Sequence, residues 1–160
     1  MASKAEAALE IFKKNLGSDD GVGDWHTVDQ DQINLFADAT LDHQFIHVDP
    51  EKSAQVSPYK VTIAHGFLTL SLVVHLQKTV PQSNPEAYEG LIMGVNYGLD
   101  RVRFPNPVKV NARVRARREL MEVELKAPTT IQVKQRVTVE IEGEEKPGCV
   151  AETLARLIYA

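Results

Sequence analysis

The hydrophobic rhythm of the chain changes halfway along it. Up to Pro81, apolar residues recur at helical spacing or crowd into one solid run; after Pro85 they alternate with polar ones. In the first half, residues 3–15 carry Ala8, Ile11 and Phe12 as a stripe and predict a short amphipathic helix. A brief extended stretch follows around Trp25 to Val28. A second helix is expected from about Asp31, with Asp29 as its N-cap and Ile33, Phe36 and Ala37 as its apolar face, widened by Leu35. Asp49-Pro50 is an N-cap followed by proline at the first helical position, so another short helix starts there and residues 41–48 form a connection. The most apolar segment is 65–80. Phe67, Leu68, Leu70, Leu72, Val73, Val74 and Leu76 point in almost every direction around a helix, which marks a buried one. About fifteen residues would span roughly 22 Å, and Pro81 ends it.

The second half is built of strands. LIMGVNYGLDRVRF is one long extended segment. KVNARVRARR sets Val110, Ala112, Val114 and Ala116 on one side and Lys109, Asn111, Arg113, Arg115 and Arg117 on the other. IQVKQRVTVEI alternates through Ile131, Val133, Val137, Val139 and Ile141, and Gly143 and Pro147-Gly148 supply a turn before CVAETLARLIY. One buried helix and four long antiparallel strands predict an α+β layer arrangement, a sheet wrapped around a helix.

Composition narrows the class. A chain of 160 residues suits a single domain, 1–160, and can bury a core without disulfides or metal. Hydrophobic residues are 43% and charged residues 25%, ordinary for a soluble globular protein. The net charge of −4 argues against a nucleic-acid partner. No apolar run is long enough for a membrane span, and the N-terminus lacks the apolar core of a signal peptide. The single cysteine, Cys149, has no internal disulfide partner, which fits the cytoplasm.

There is no CxxC, HExxH, GxGxxG, P-loop or GxSxG, which removes zinc proteases, dinucleotide enzymes, kinases and most serine hydrolases. What remains is the density at 42–50: Asp42, His43, His47 and Asp49. On one helix, Asp42 and His47 would lie roughly 140° apart; in a non-helical connection they can converge. A carboxylate and an imidazole converging on one water form a general acid/base pair. The same residues also suit caps or ion pairs at a helix start. His65-Gly66 opens the buried helix, where N–H groups lack intrahelical partners and the dipole is positive. A glycine there lets a thioester carbonyl approach the backbone, or simply permits close packing. Arg113, Arg115, Arg117 and Arg118, with Arg101 and Arg103, form a solvated strand face or a phosphate-meeting one, the first being favoured. His75 fits a core or interface position. His26 carries no distinct signal.

FADATLDHQFIHVDPEKSA resembles the hydratase motif of MaoC-like dehydratases and (R)-specific enoyl-CoA hydratases, in which an aspartate is followed by four residues, a histidine and Asp-Pro. VTIAHGFLTLSL resembles the opening of that family's central helix, and NYGLDRVRFPNPVKVNARVRA the strands after it. The likeness spans roughly residues 22 to 159 and is nearest to single-hot-dog members similar to nodulation protein N. It implies a hot-dog fold, a homodimer and no metal or redox cofactor. It also implies that Asp42 and His47 activate a water and that His65-Gly66 receives the thioester carbonyl of an acyl-CoA. The activity implied is reversible syn hydration of trans-2-enoyl-CoA. A 3-hydroxyacyl-carrier-protein dehydratase, a thioesterase and a non-catalytic acyl-thioester-binding protein are the alternatives. Two positions depart from the family pattern. Leu41 stands where glycine usually precedes the aspartate, and Gln44-Phe45 where Asn-Pro is usual.

Overall fold

The computed structural model describes residues 2–160. Its helices are α1 (Lys4–Lys14), α2 (Gln30–Thr40), α3 (Phe45–Val48), α4 (Pro50–Val56) and α5 (Gly66–Leu76), and its strands β1 (Asp19–Val22), β2 (His26–Val28), β3 (Leu91–Arg103), β4 (Ala112–Ala127), β5 (Thr130–Ile141) and β6 (Cys149–Tyr159). The strands form one antiparallel sheet in the order β1-β4-β5-β6-β3, with β2 also on β4. This is the hot-dog arrangement: α5 lies in the concave face of the sheet.

Alternation fixes which strand residues reach that face. Val114 and Ala116 of β4, Val137 and Val139 of β5 and Ala151 of β6 are buried and form one cluster with Leu68, Leu72, Val73 and Leu76 of α5. Each large aliphatic side chain so covered contributes roughly 1.5–3 kcal/mol. A second cluster holds the other end. Ala5, Ala8, Leu9 and Phe12 of α1 pack on Leu120, Ile131, Val133, Leu157 and Tyr159. Ser3 and Glu6 close a capping box at the start of α1. Ile11, expected in the buried stripe, lies at its margin, and Ala5 and Leu9 go in instead.

Three expectations are corrected. Leu35 does not widen the face of α2; it is exposed, while Ile33 and Ala37 are buried and Phe36 packs against the core. α5 is not buried all round. Phe67, Val74 and His75 are exposed, since the sheet covers one side of the helix and nothing among the described residues covers them. Arg118 does not belong to the solvated arginine face. It has the inward parity of Val114 and Ala116, and its guanidinium is buried against Asp20 at 2.7 Å. Among the described residues, no helix is long and apolar enough to cross a membrane.

Candidate active site

The segment from the end of α2 to the start of α5 carries the candidate residues, and bonds to α2, to the sheet side and within the segment hold it. Asp29 caps α2 through Gln32 N–H, as its sequence position implied. α2 then ends on Leu41, whose φ of 63° and ψ of 22° are left-handed. That conformation costs a non-glycine residue roughly 1–2 kcal/mol. The turn delivers Asp42, whose Oδ1 accepts a long bond from Gln44 N–H at 3.3 Å. The connection expected between the helices contains the one-turn helix α3, so His47 is helical and Asp42 precedes that helix. Asp49 caps α4 through Lys52 N–H with Pro50 in the first turn, as expected.

His47 is 7% exposed. Its Nδ1 lies 2.7 Å from the Ile63 carbonyl, an acceptor only, so Nδ1 carries the proton and Nε2 keeps its lone pair. Burial lowers the pKa of His47 from its usual 6.5, with the neighbouring His65 adding to the effect; the Ile63 bond and Asp42 act the other way. The backbone here is clamped by a residue that no motif marked. Gln30 donates from Nε2 to the His47 carbonyl at 2.7 Å and accepts from the Thr62 hydroxyl. The 62–64 segment is in turn latched to the sheet side, Ala64 N–H to Val108 O and Val110 N–H to Thr62 O.

His65 is 3% exposed and sits between the two halves of the site. Its ring stacks on His47 with centroids 3.8 Å apart and an interplanar angle of 23°, and the Phe36 ring lies 5.0 Å away, tilted by 55°. Its Nε2–H donates to the Asp42 carbonyl at 3.0 Å, and the Asp42 carboxylate is 4.0 Å off. Its Nδ1 is buried without a partner, a state that costs about 1–3 kcal/mol. A carboxylate oxygen of Asp42 and one nitrogen each of His47 and His65 lie within 4.8 Å of one another. That spacing suits a water bonded to two of them. The same three residues are donor types that bind divalent metals. The ring nitrogens facing the Ile63 and Asp42 carbonyls are already engaged as donors.

Gly66 begins α5. No side chain caps this helix start, so its first N–H groups are open to a ligand. A Cβ on Gly66 would meet the Phe104 ring at 3.0 Å. Close packing and ligand approach are therefore both reasons for glycine here. A cleft of about 340 Å³ opens at this point, between Gly66, Thr69, Phe104 and Val108. A second, of about 490 Å³, runs between α5 and the β3–β6 edge, lined by Leu70, Val73, Val74, Tyr97, Leu99 and Leu154.

The outward arginines of β4 are paired. Arg113 pairs with Glu142, Arg115 with Glu140, and Arg117 with both Glu140 and Asp19. Arg101 and Arg103 line a separate hollow with Arg136 and Glu152. His26 bonds Gln32 at 2.8 Å and lies edge-on to His75, which is exposed, so of the core and interface positions expected for it the core one does not hold.

Residues 12–142 match the family profile described as the MaoC like domain. The chain belongs to the MaoC-like dehydratase family. It is 49% identical over 138 residues to the 3-hydroxyacyl-thioester dehydratase Z of Mycobacterium tuberculosis, covering 86% of this chain and 87% of that one. It is 47% identical over 147 residues to nodulation protein N of Rhizobium leguminosarum bv. viciae, covering 91% and 88%. Among solved structures, the (R)-hydratase of A. caviae superposes with a TM-score of 0.67 at 20% identity, over 88% of this chain and 94% of that one. The MaoC-like dehydratase of Rhodospirillum rubrum does so with 0.69 at 18%, over 91% and 93%. At those identities the structural likeness speaks for the hot-dog fold alone.

Proposed function

We propose that this MaoC-like protein catalyses the reversible syn hydration of a trans-2-enoyl-CoA to the (R)-3-hydroxyacyl-CoA. The observation that carries the reading is the gap of at most 4.8 Å between the Asp42 carboxylate and a His47 ring nitrogen, beside an uncapped helix start. The water held by that pair attacks C3. The π electrons of the C2–C3 bond move towards the thioester carbonyl, where the Gly66 N–H stabilises the enolate-like oxygen. One member of the pair takes the water proton, and a proton is delivered to C2 on the same face as the electrons return. The sum is H and OH added across one double bond, with the protein unchanged. The carbonyl is the electron sink, so the reaction calls for no metal or redox cofactor.

Three features support this reading. The free lone pair on His47 Nε2, with the pKa lowered by burial, leaves a base available at neutral pH. The 340 Å³ cleft at Gly66 has room for the thioester end of an acyl chain. The mycobacterial relative bears the name of the reverse reaction. Leu41, the ground for a binding-only reading, adopts the left-handed conformation that glycine would supply, so Asp42 is still presented.

The assembly that fits is a homodimer. β3 is a long edge strand, and Ile92, Met93, Val95, Tyr97 and Leu99 on it are exposed, as are Phe67 and Val74 of the uncovered helix face. Such an edge needs a partner. Light scattering should give twice the chain mass.

The activity test is the loss of enoyl absorbance from crotonyl-CoA, with chiral analysis of the product. A carrier-protein thioester run in parallel separates the two carriers, and free-thiol release would identify a thioesterase. Saturable binding of crotonyl-CoA and longer enoyl-CoA substrates without water incorporation would overturn the hydratase reading.

A further inference from the structure

His65 opens α5, yet it makes none of the capping bonds that a helix start favours. A Ser, Thr, Asn or Asp would satisfy an N–H there. The imidazole is instead buried, turned away from the helix, with one nitrogen bonded to a carbonyl 23 residues back and the other bonded to nothing. The residue type is therefore poorly explained by the needs of the helix.

Its neighbours supply the explanation. The Asp42 side chain is 53% exposed, so no packing orients it. Its carboxylate holds only the 3.3 Å contact with Gln44 N–H. The firmer restraint on the residue is the 3.0 Å bond from His65 Nε2–H to its carbonyl. The preceding residue, Leu41, is exposed and left-handed, a state that a leucine leaves unless its surroundings hold it. The same ring, whose edge makes that bond, stacks by a face on His47. One side chain thus touches both members of the water-holding pair.

We propose that His65 is a positioning residue. Its Nε2–H locks the Asp42 peptide and the Leu41 turn, and its ring is the plate that sets the angle of His47. This rests on the hydratase reading above, and it removes the His65 side chain from the thioester-binding role; the Gly66 N–H keeps that role.

The test separates ring from donor. His65→Phe keeps a stacking ring and loses the N–H; His65→Gln keeps a donor and loses the ring; His65→Ala loses both. Misplacing a reacting group by about 1 Å can cost 10²-fold in rate. The expectation for His65→Phe is a kcat loss of roughly that size, with KM changed little and the protein still folded. His65→Gln should recover part of the rate. Leu41→Gly added to His65→Phe should also recover part, because glycine occupies the left-handed region without an anchor. A His65→Phe enzyme with wild-type kcat overturns the proposal, as does a Leu41→Gly change that never alters the effect of His65→Phe. Nitrogen-15 NMR of the ring gives an arm independent of turnover. The proton should sit on Nε2, and the Asp42 backbone resonances should move in His65→Phe. A proton on Nδ1, or unmoved Asp42 resonances, overturns the proposal. A wild-type protein that passes the NMR arm but hydrates no enoyl thioester fails the hydratase reading and leaves His65 as the anchor of the turn.

Discussion

The sheet from β4 to β6 and the segment from Leu41 to Gly66 obey different rules. In the sheet, strand parity decides everything. Val114, Ala116, Val137, Val139 and Ala151 are fully or almost fully buried at alternate positions, and their backbones are paired on both sides. The segment has short helices, a left-handed leucine and an unpartnered buried nitrogen. Its histidines are held by single bonds to carbonyls: His47 to Ile63, His65 to Asp42. The sheet holds most of the stability, and the segment gives some up to bring polar groups together. Substitutions in the two regions should therefore separate activity from folding.

The largest expected effect is on Asp42 and His47, the pair proposed to hold the water. Asp42→Asn and His47→Ala should each lower turnover of an enoyl thioester by about 10²–10⁴-fold, the range for a positioned acid or base. Melting of Asp42→Asn should stay near wild type, because the side chain is half exposed. Unchanged turnover in either variant would break the assignment. Next comes the oxyanion donor. Proline suits the first helical position but has no N–H, so Gly66→Pro should keep α5 and lose about 10²–10³-fold in kcat. Gly66→Ala is the control for crowding against Phe104. Equal losses in the two would mean that packing, not the N–H, is what glycine serves. In the sheet, Ile131→Ala should cost about 2–5 kcal/mol of stability, read from urea melts, with the turnover of the folded fraction unaltered. A rate loss there would show that the two regions are not separable.

Much of the sheet was legible because period-two alternation reports burial directly. The segment was legible in its residues but not in its geometry. Asp49-Pro50 marks the start of α4 because capping chemistry is local. Gln30, which clamps the His47 carbonyl from α2, carries no signal, since a helical glutamine usually faces water. Arg118 looked like its neighbours Arg113 to Arg117. Only parity set it inward, and only a tertiary contact revealed its partner Asp20. Likewise, the apolar run of α5 suggested burial on all sides. The sheet covers only one of them, and Phe67 and Val74 are left exposed.

The pH dependence sets the two regions apart by a smaller margin. Burial lowers the pKa of His47 below its usual 6.5. Between that lowered value and 6.5 the unfolded chain binds a proton that the folded one does not. Its contribution to stability is thus full above pH 6.5 and lost as the pH falls towards the folded-state value. Urea midpoints taken from about pH 7.5 down to about pH 5 should fall more steeply in the wild type than in His47→Gln. The acid limb of the rate should likewise lie below 6.5. Parallel slopes in the two proteins would mean that His47 titrates as it does when unfolded.

The smallest effect is at Leu41, and there the change should stabilise. The side chain is 81% exposed, so its loss removes little packing. Glycine relieves roughly 1–2 kcal/mol of left-handed strain and gives back about 0.5–1 kcal/mol in unfolded-state entropy. Leu41→Gly should therefore gain up to about 1 kcal/mol, a rise of about 2–4 °C in Tm for a chain of this size. No sheet position offers such a gain, because none of the sheet strands in the core departs from ordinary backbone angles. A lower Tm in Leu41→Gly would mean that the exposed leucine contributes more by its contacts than its φ of 63° takes away. The contrast between a relaxed sheet and a strained site segment would then fail at its clearest point.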